Sequence, residues 1–372
     1  MKIKAAVLNE IKTPYAIEEL NLSEIREDEV LVKMVASGIC HSDDVVRTGD
    51  SPYMFPVVLG HEGSGIIEKV GASVRGFKPG DHVVLSYKYC GHCDNCLTGV
   101  PASCEDWAAL NMSGIREDGT PYFQREDGSV VHNFFAQSSF STYSIVYERN
   151  LTKVDLSADL RLVGPLGCGF LTGSGTVRNG LKPEPGSTVA VFGTGAVGLA
   201  AMMAAKISGC TKIIGVDIHD HRLETAKELG ATHTINSKGI DVVAEIRKLT
   251  GGKGVNYTVD TTGVPQVIRA SIEALAIGGT AAPVAASKPI ELNTINDLTM
   301  FNRTIKGVLM GNAVPQLSIP QLIEFFQAGS FSFDKLVKFY KFEEINEAAN
   351  DSLSGKTIKP VMIIDESYVP GK

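Results

Sequence analysis

Residues 189–198 read VAVFGTGAVG, and the apolar run LAAMMAAK follows at residues 199–206. The four residues before Gly193 are typical of a buried strand, and the residues after Gly198 are typical of a helix. Gly193, Gly195 and Gly198 form a G-x-G-x-x-G pattern between the two, so backbone N–H groups and the helix N-terminus can face a pyrophosphate. The stretch therefore predicts a dinucleotide-binding βαβ unit.

The next strand-like segment, residues 212–217, ends at Asp217. An acidic residue at this place accepts a hydrogen bond from the ribose 2′-hydroxyl and repels a 2′-phosphate, so Asp217 favours NAD over NADP. Arg222 could weaken that discrimination, although it is interpreted equally well as a solvated helix residue. Strand and helix patterns alternate over residues 170–308, which predicts a doubly wound parallel sheet.

The sequence on both sides of this region gives the domain organisation. Residues 1–169 consist of short β-like runs separated by Gly, Pro and Asp, which predicts a β-rich domain. Residues 309–372 contain two amphipathic helical patterns and a final strand. We expect this C-terminal segment to return to the first domain, with the parallel-sheet domain over residues 170–308.

The composition excludes several classes of protein. The 372 residues include 35 Lys or Arg and 42 Asp or Glu, for a formal net charge of −7, whereas binding to a nucleic-acid backbone needs a basic surface. The longest apolar run, around residues 189–207, is interrupted by glycines and Lys206 and is no membrane span. The N-terminus does not show the pattern of an export signal. We expect a cytoplasmic protein that binds neither nucleic acid nor membrane.

Seven cysteines in a chain without an export signal favour metal or thiol chemistry over disulfides. Four of them follow the pattern C-x2-C-x2-C-x7-C: Cys90, Cys93, Cys96 and Cys104. Four thiolates this close complete a tetrahedron around Zn²⁺ and leave no open position, so the predicted site is structural. His92 could replace one thiolate, but four cysteines already satisfy the ion. Cys210 is interpreted as a small buried hydrophobic residue.

A second set of candidate metal ligands is spread along the chain. Cys40, His61 and Cys168 lie in three separate glycine-containing stretches. Two cysteines and a histidine, with a fourth position left for water or substrate, are the pattern of a catalytic zinc. By spacing alone, each could instead be a packed core residue. Asp43 and Glu62 favour the metal, because metal ligands usually have carboxylates nearby.

Together these features resemble the zinc-dependent medium-chain alcohol dehydrogenases, over essentially the whole chain. Within that family the chain resembles the aryl-alcohol (benzyl alcohol) dehydrogenases in five motifs: CHSD at 40–43, GHEGSG at 60–65, LSYKYC at 85–90, FFAQSSF at 134–140 and GPLGCG at 164–169. The resemblance implies an α/β chain with a β-rich GroES-like catalytic domain and a Rossmann doubly wound parallel-sheet domain. It also implies a homodimer or homotetramer.

The resemblance assigns roles to the residues around the predicted zinc. Cys40, His61 and Cys168 would hold the catalytic ion. Glu62 would approach it from behind, and Asp43 would orient His61.

Other roles concern the proton, the cofactor and the substrate. The resemblance implies that the Ser42 hydroxyl takes the alcohol proton and that His41 and Lys359 face the cofactor pyrophosphate. Many family members have a His three residues after that hydroxyl, as the end of a proton path, but this chain has Val45. Thr172 and Val197 would pack against the nicotinamide, and the candidates for the substrate pocket are Tyr87, Trp107, Phe134 and Phe135.

The function so implied is the reversible oxidation of a primary aromatic or allylic alcohol to its aldehyde, with two zinc ions per chain and NAD. One alternative is a polyol dehydrogenase of the same fold, which would prefer a polar pocket. The other is a dinucleotide-binding zinc protein without catalysis. The open Cys₂His set disfavours that second alternative, because a pure binding protein has no use for an open zinc site.

Overall fold

The computed structural model describes residues 1–371, which form two compact units. The first unit contains Met1–Cys168, Val314–Glu324 and residues 334–371, and the second contains Gly169–Ala313 and Phe325–Phe333. The domain boundaries expected at residues 169 and 308 stay predictions. Among the helices of the described chain, none combines the length and the apolar character needed to cross a bilayer.

The strands provide the frame of both units. Over residues 1–371 they are β1 (Lys2–Leu8), β2 (Ala16–Leu22), β3 (Glu29–Gly38), β4 (Val57–Val58), β5 (Gly63–Val70), β6 (His82–Leu85), β7 (Phe123–Gln124), β8 (Val130–Val131), β9 (Tyr143–Tyr147), β10 (Leu151–Lys153), β11 (Thr188–Phe192), β12 (Lys212–Asp217), β13 (His233–Asn236), β14 (Val255–Asp260), β15 (Leu275–Pro283), β16 (Thr304–Ile305), β17 (Val337–Lys341) and β18 (Lys359–Ile363).

The helices connect these strands. The α-helices are α1 (His41–Thr48), α2 (Asp94–Leu97), α3 (Trp107–Met112), α4 (Leu160–Val163), α5 (Gly169–Gly175), α6 (Ala196–Ile207), α7 (Asp220–Glu228), α8 (Val242–Leu249), α9 (Pro265–Glu273), α10 (Pro315–Gln327) and α11 (Ile345–Leu353). Short 3₁₀ segments are Pro101–Ser103, Glu148–Asn150, Gly164–Gly167, Thr299–Phe301, Met310–Asn312, Phe333–Leu336 and Phe342–Glu344, and π-helical turns are Thr176–Leu181 and Thr294–Leu298.

The first unit is built from two sheets. One has the strand order β4-β1-β2-β7-β8, and the other has the order β10-β6-β5-β3-β18-β17, with β9 also paired to β3. Strand β3 is the longest and pairs antiparallel with β5, β9 and β18. Its apolar side chains, such as Val32 and Met34, are fully buried against Val83 and Leu85. The buried β3 therefore gives a fixed support for the residues that follow its C-terminal end.

The second unit is a six-stranded parallel sheet with the order β13-β12-β11-β14-β15-β16. Counted from β11, this is 3-2-1-4-5-6, the doubly wound order in which dinucleotides bind where the strand order reverses. Phe192, Ile214 and Val216 are buried, as expected for strands covered on both faces. The predicted doubly wound parallel sheet is confirmed.

Candidate functional site

Three predicted metal ligands meet after the end of β3. Each of Cys40, His61 and Cys168 is buried, and one ligand atom from each lies within 4.8 Å of the others. The Nε2 atom of His61 has no protein partner among the described residues, so its lone pair is available to a metal. The pKa of Cys40 lies well below its ordinary value, because its thiolate accepts a hydrogen bond from Cys168 and faces His61. This donor set fits a zinc ion with one position left open.

Asp43 fixes two of these ligands at once. Its Oδ2 accepts a hydrogen bond from the Cys40 N–H at 2.9 Å, which caps α1. Its Oδ1 lies 3.0 Å from the Nδ1 of His61 and also accepts the Gly60 N–H at 3.1 Å. The carboxylate therefore favours the His61 tautomer that carries a proton on Nδ1, leaving Nε2 for a metal. This is the arrangement that the resemblance implies.

Glu62 and Lys359 form a buried ion pair next to these ligands. The Lys359 Nζ lies 2.8 and 3.0 Å from the two Glu62 carboxylate oxygens and also donates to the Ile39 carbonyl at 3.0 Å. Burial raises the pKa of Glu62 to about 7, against the opposing charge of Lys359. The Lys359 ammonium group is buried against a carboxylate that needs a cation, and its role at the pyrophosphate stays a prediction.

The first residues of α1 are accessible. Both His41 and Ser42 are exposed, and the Ser42 Oγ lies 4.0 Å from the Cys40 Sγ. A hydroxyl is thus present beside a candidate zinc ligand. Val45 lies one turn further along α1 and is half-buried. A valine side chain cannot accept a proton, so α1 offers no proton acceptor at this position. The role of His41 at the pyrophosphate stays a prediction.

The four residues expected in the substrate pocket belong to one aromatic cluster. The ring of Phe135 stacks on His61 at a centroid distance of 4.7 Å, and Phe134 meets His61 edge-on at 5.5 Å. Trp107 contacts Phe135 at 5.5 Å and Tyr87 at 6.5 Å. The cluster therefore gives the candidate zinc site an apolar, aromatic surrounding. Their role as substrate contacts stays a prediction.

The segment that carries Phe134 and Phe135 has an unusual backbone. Phe135, Ala136 and Ser138 have φ values of 55°, 50° and 53°, in the left-handed region that residues other than glycine rarely adopt. Buried hydrogen bonds hold this conformation: the Ser138 hydroxyl accepts the Phe134 N–H at 2.8 Å, and the Gln137 amide donates to the Ser86 carbonyl at 2.9 Å. Residues with such backbone conformations are often found at active sites. The sequence shows no signal for it.

Sequence reasoning also missed Tyr53. Its ring meets Phe134 edge-on at 5.2 Å, and its hydroxyl donates to the Asn133 carbonyl at 2.6 Å. Tyr53 thus extends the aromatic cluster from a loop outside the quoted motifs.

The four-cysteine loop also has the geometry of a metal site. The sulfur atoms of Cys90, Cys93, Cys96 and Cys104 lie within 4.8 Å of one another. Backbone N–H groups point at these sulfurs: Cys90 N donates to Cys104 Sγ at 3.3 Å, and Cys93 N donates to Cys90 Sγ at 3.3 Å. His92 is exposed and bonds the Cys90 carbonyl through Nδ1. The four thiols fit a closed, structural zinc site.

The glycine loop of the second unit is shaped for a ligand. Gly193 has a φ of +88°, and a Cβ atom on Gly198 would overlap the Gly193 carbonyl oxygen. A Cβ atom on Gly195 would meet no atom within 4 Å, so the space in front of the loop is open. Gly195 caps the N-terminus of α6, where free N–H groups attract a pyrophosphate. The loop therefore fits the expected dinucleotide.

Asp217 lies at the end of β12, beside this loop. Its Oδ2 accepts hydrogen bonds from the N–H and the hydroxyl of Thr194, and its Oδ1 accepts the N–H groups of Ile218 and His219. These bonds and the charge of Arg222 outweigh burial and lower the pKa of Asp217. The carboxylate is thus ionised at neutral pH. The sequence located Asp217 but not its bonds to Thr194.

Thr172 and Val197 lie on neighbouring helices of the same unit. Gly173 of α5 approaches the Val197 carbonyl so closely that a Cβ atom has no room. Both side chains are half-buried. Their contact with a nicotinamide stays a prediction.

Comparisons with known proteins agree with this geometry. Residues 26–155 match the alcohol dehydrogenase GroES-like domain, and residues 196–328 match the zinc-binding dehydrogenase family. The chain is 42% identical to a geraniol dehydrogenase of Castellaniella defragrans, over 97% of both chains. These matches confirm the expected GroES-like fold of the first unit.

Two solved structures are similar along nearly the full length. The crystal structure of an alcohol dehydrogenase zinc-binding domain protein from Burkholderia ambifaria has a TM-score of 0.95 and 47% identity, covering 98% of this chain and 100% of that one. Benzyl alcohol dehydrogenase from Acinetobacter calcoaceticus has a TM-score of 0.94 and 46% identity, with the same coverage. With its Cys₂His set and its glycine loop, the chain therefore belongs to the zinc-dependent medium-chain alcohol dehydrogenases, enzymes that oxidise alcohols with zinc and a nicotinamide dinucleotide.

Proposed function

We propose that this enzyme catalyses the reversible oxidation of a primary aromatic or allylic alcohol to its aldehyde, with NAD as cofactor and two zinc ions per chain. The observation that carries the substrate class is the stacking of Phe135 on His61, within an aromatic cluster that surrounds the candidate catalytic ligands. Flat, unsaturated substrates complement aromatic rings, whereas a polyol needs a polar pocket. The oligomeric state stays a prediction.

The relatives support the same class of substrate. Two similar proteins are a geraniol dehydrogenase and a benzyl alcohol dehydrogenase, named for an allylic and a benzylic primary alcohol. Each shares more than 40% of its residues with this chain over nearly its full length.

The chemistry divides between the bound groups and the chain's own residues. A zinc ion held by Cys40, His61 and Cys168 would supply Lewis-acid polarisation of the alcohol oxygen, and NAD would accept the hydride. The exposed Ser42 hydroxyl would take the proton from the alcohol and pass it to solvent. Asp43 would hold the His61 ring in place during turnover. The aromatic cluster would exclude water from the reacting carbon.

A panel of alcohols tests the substrate class. Initial rates with NAD should give kcat/KM values for benzylic and allylic primary alcohols that exceed those for short aliphatic alcohols by about tenfold or more. Polyols of similar size should be poorer still. A preference for polyols would contradict the proposal and favour the polyol dehydrogenase alternative.

Asp217→Ser should narrow the preference for NAD. The parent enzyme should use NAD with a much higher kcat/KM than NADP, because the ionised Asp217 repels a 2′-phosphate. Removing a like charge that opposes the phosphate should reduce the ratio by more than about tenfold. Asp220→Ser is the matched control, because Asp220 is an exposed acid at the start of α7. Equal use of both cofactors by the parent would show that Arg222 or a rearranged loop, and not Asp217, sets the cofactor preference.

Val45→His should change how the proton leaves. The parent has no imidazole one turn after Ser42, so hydride transfer in a single turnover at low pH should be accelerated by added imidazole. General acid–base groups contribute about 10²–10⁴-fold where proton transfer limits the rate, so the variant should be faster and insensitive to added base. The single-turnover format is needed because cofactor release can limit kcat. A parent that ignores imidazole, with an unchanged rate in the variant, would mean that Val45 is only a packing residue.

A further inference from the structure

We propose that Thr194 is a positioning residue for cofactor recognition: its hydroxyl holds the Asp217 carboxylate where it admits a free ribose and excludes a 2′-phosphate. The inference rests on the proposed use of NAD at the glycine loop. It adds a specificity-determining side chain to a loop whose function is otherwise attributed to glycines and backbone N–H groups.

The contacts of Thr194 point at one carboxylate oxygen. The Thr194 N–H lies 2.7 Å from the Asp217 Oδ2, and the Thr194 Oγ1 lies 2.8 Å from the same atom. Thr194 is fully buried, and Asp217 is only 7% exposed. A bond from a neutral hydroxyl to an ionised carboxylate in such a place is stronger than an ordinary hydrogen bond. The Thr194 hydroxyl therefore has a single, well-defined partner.

The other oxygen of Asp217 is held as well. Oδ1 accepts the N–H groups of Ile218 and His219 at 2.8 and 3.0 Å. Each carboxylate oxygen thus has two donors, and the carboxylate cannot rotate without breaking at least one of these bonds. A ribose hydroxyl must share an oxygen whose position is already set. Loss of the Thr194 hydroxyl would release Oδ2 from one of its two donors.

The methyl group of Thr194 has a separate contact. Its Cγ2 lies 3.5 Å from the position that a Cβ atom on Gly215 of β12 would take. Valine keeps this methyl group and the β-branched shape, whereas serine keeps the hydroxyl and removes the methyl group. The two substitutions therefore separate the hydrogen bond from the packing.

The test compares Thr194→Val with Thr194→Ser. Binding of NADH and NADPH is measured by the fluorescence of the reduced nicotinamide, and KM and kcat are measured with NAD and NADP. We expect Thr194→Val to weaken NADH binding by about tenfold or more, the effect of a hydrogen bond to a charged group. NADPH binding should weaken less, because the released carboxylate opposes the 2′-phosphate less effectively. For Thr194→Val, KM should change more than kcat. Thr194→Ser should keep the parent's preference for NAD over NADP.

A double-mutant cycle separates positioning from a general effect on the loop. In an Asp217→Ala background, Thr194→Val should no longer change the ratio of the NADH and NADPH dissociation constants. An equal change in both backgrounds, or a parent-like ratio in Thr194→Val, would overturn the inference. Thr194→Ala serves as a second variant without the hydroxyl if Thr194→Val loses its cooperative thermal transition. A parent enzyme that binds neither dinucleotide would instead contradict the proposed function.

Discussion

Replacing Cys168 by Ser is expected to abolish turnover while the protein stays folded. Cys168 is one of the three proposed ligands of the open zinc site, and its thiol lies against Cys40 within the buried cluster. Removing a residue that only hydrogen-bonds to a metal ligand costs about 10–100-fold in metal affinity or activity. Removing the ligand itself should therefore cost more. We expect zinc analysis to give two ions per chain for the parent and one for the variant.

Cys104→Ser should behave in the opposite way. The four thiolates of this loop would complete the coordination of a structural zinc ion. Losing one thiolate should therefore lower both the zinc content and the melting temperature. The folded fraction should still bind NADH, because the glycine loop belongs to the other unit. Cys210→Ser is the matched control: this thiol is buried, and burial raises its pKa to about 11. The Cys210→Ser variant should keep two zinc ions per chain. Identical behaviour of the Cys168 and Cys104 variants would contradict the division into catalytic and structural sites.

Lys359→Met is expected to lower the free energy of unfolding at pH 8.5 by about 2 kcal/mol, because it removes the cation beside the buried Glu62 carboxylate and that carboxyl must then bind a proton, at about 1.4 kcal/mol for each pH unit above its pKa. The loss should shrink as the pH falls towards 5. Glu62 has a folded-state pKa of about 7 even with Lys359 present, and protonation below that value removes the charge that needs the cation. Urea unfolding of the zinc-loaded enzyme at pH 5, 7 and 8.5 measures both effects.

The double variant Lys359→Met/Glu62→Gln is the control for this ion pair. It removes the carboxylate charge together with the cation, so it should recover much of the lost stability at pH 8.5. An unchanged free energy of unfolding in Lys359→Met, with weaker NADH binding, would show instead that Lys359 serves the dinucleotide.

The sequence predicts those features whose residues lie close together along the chain. The four-cysteine loop spans fifteen residues, and the glycine loop with its strand and helix is continuous, so spacing alone indicated their chemistry. Asp217 is predictable from the sequence for the same reason, because it is the last residue of the next strand. The parallel sheet followed from the alternation of strand and helix patterns.

The sequence does not predict contacts that depend on how distant segments pack. Glu62 and Lys359 are separated by 297 residues, so their ion pair becomes visible only when β18 lies beside β3. The stacking of Phe135 on His61 depends on a left-handed backbone, which no glycine marks in the sequence. The set of Cys40, His61 and Cys168 is an intermediate case. Its members are far apart in the sequence, so their spacing alone does not identify a metal site, whereas the resemblance to the family does.

The pairing of β18 with β3 has a consequence for synthesis on the ribosome. Residues 36–38 of β3 pair with residues 361–363, and Lys359 reaches the carbonyl of Ile39 from 320 residues further along the chain. At about 5–20 residues per second, this edge of β3 waits on the order of 16–64 s for its partner. All of the second unit is synthesised during that time. The sheet that supports the candidate metal ligands is therefore completed last, and until then its open edge needs protection from other nascent chains.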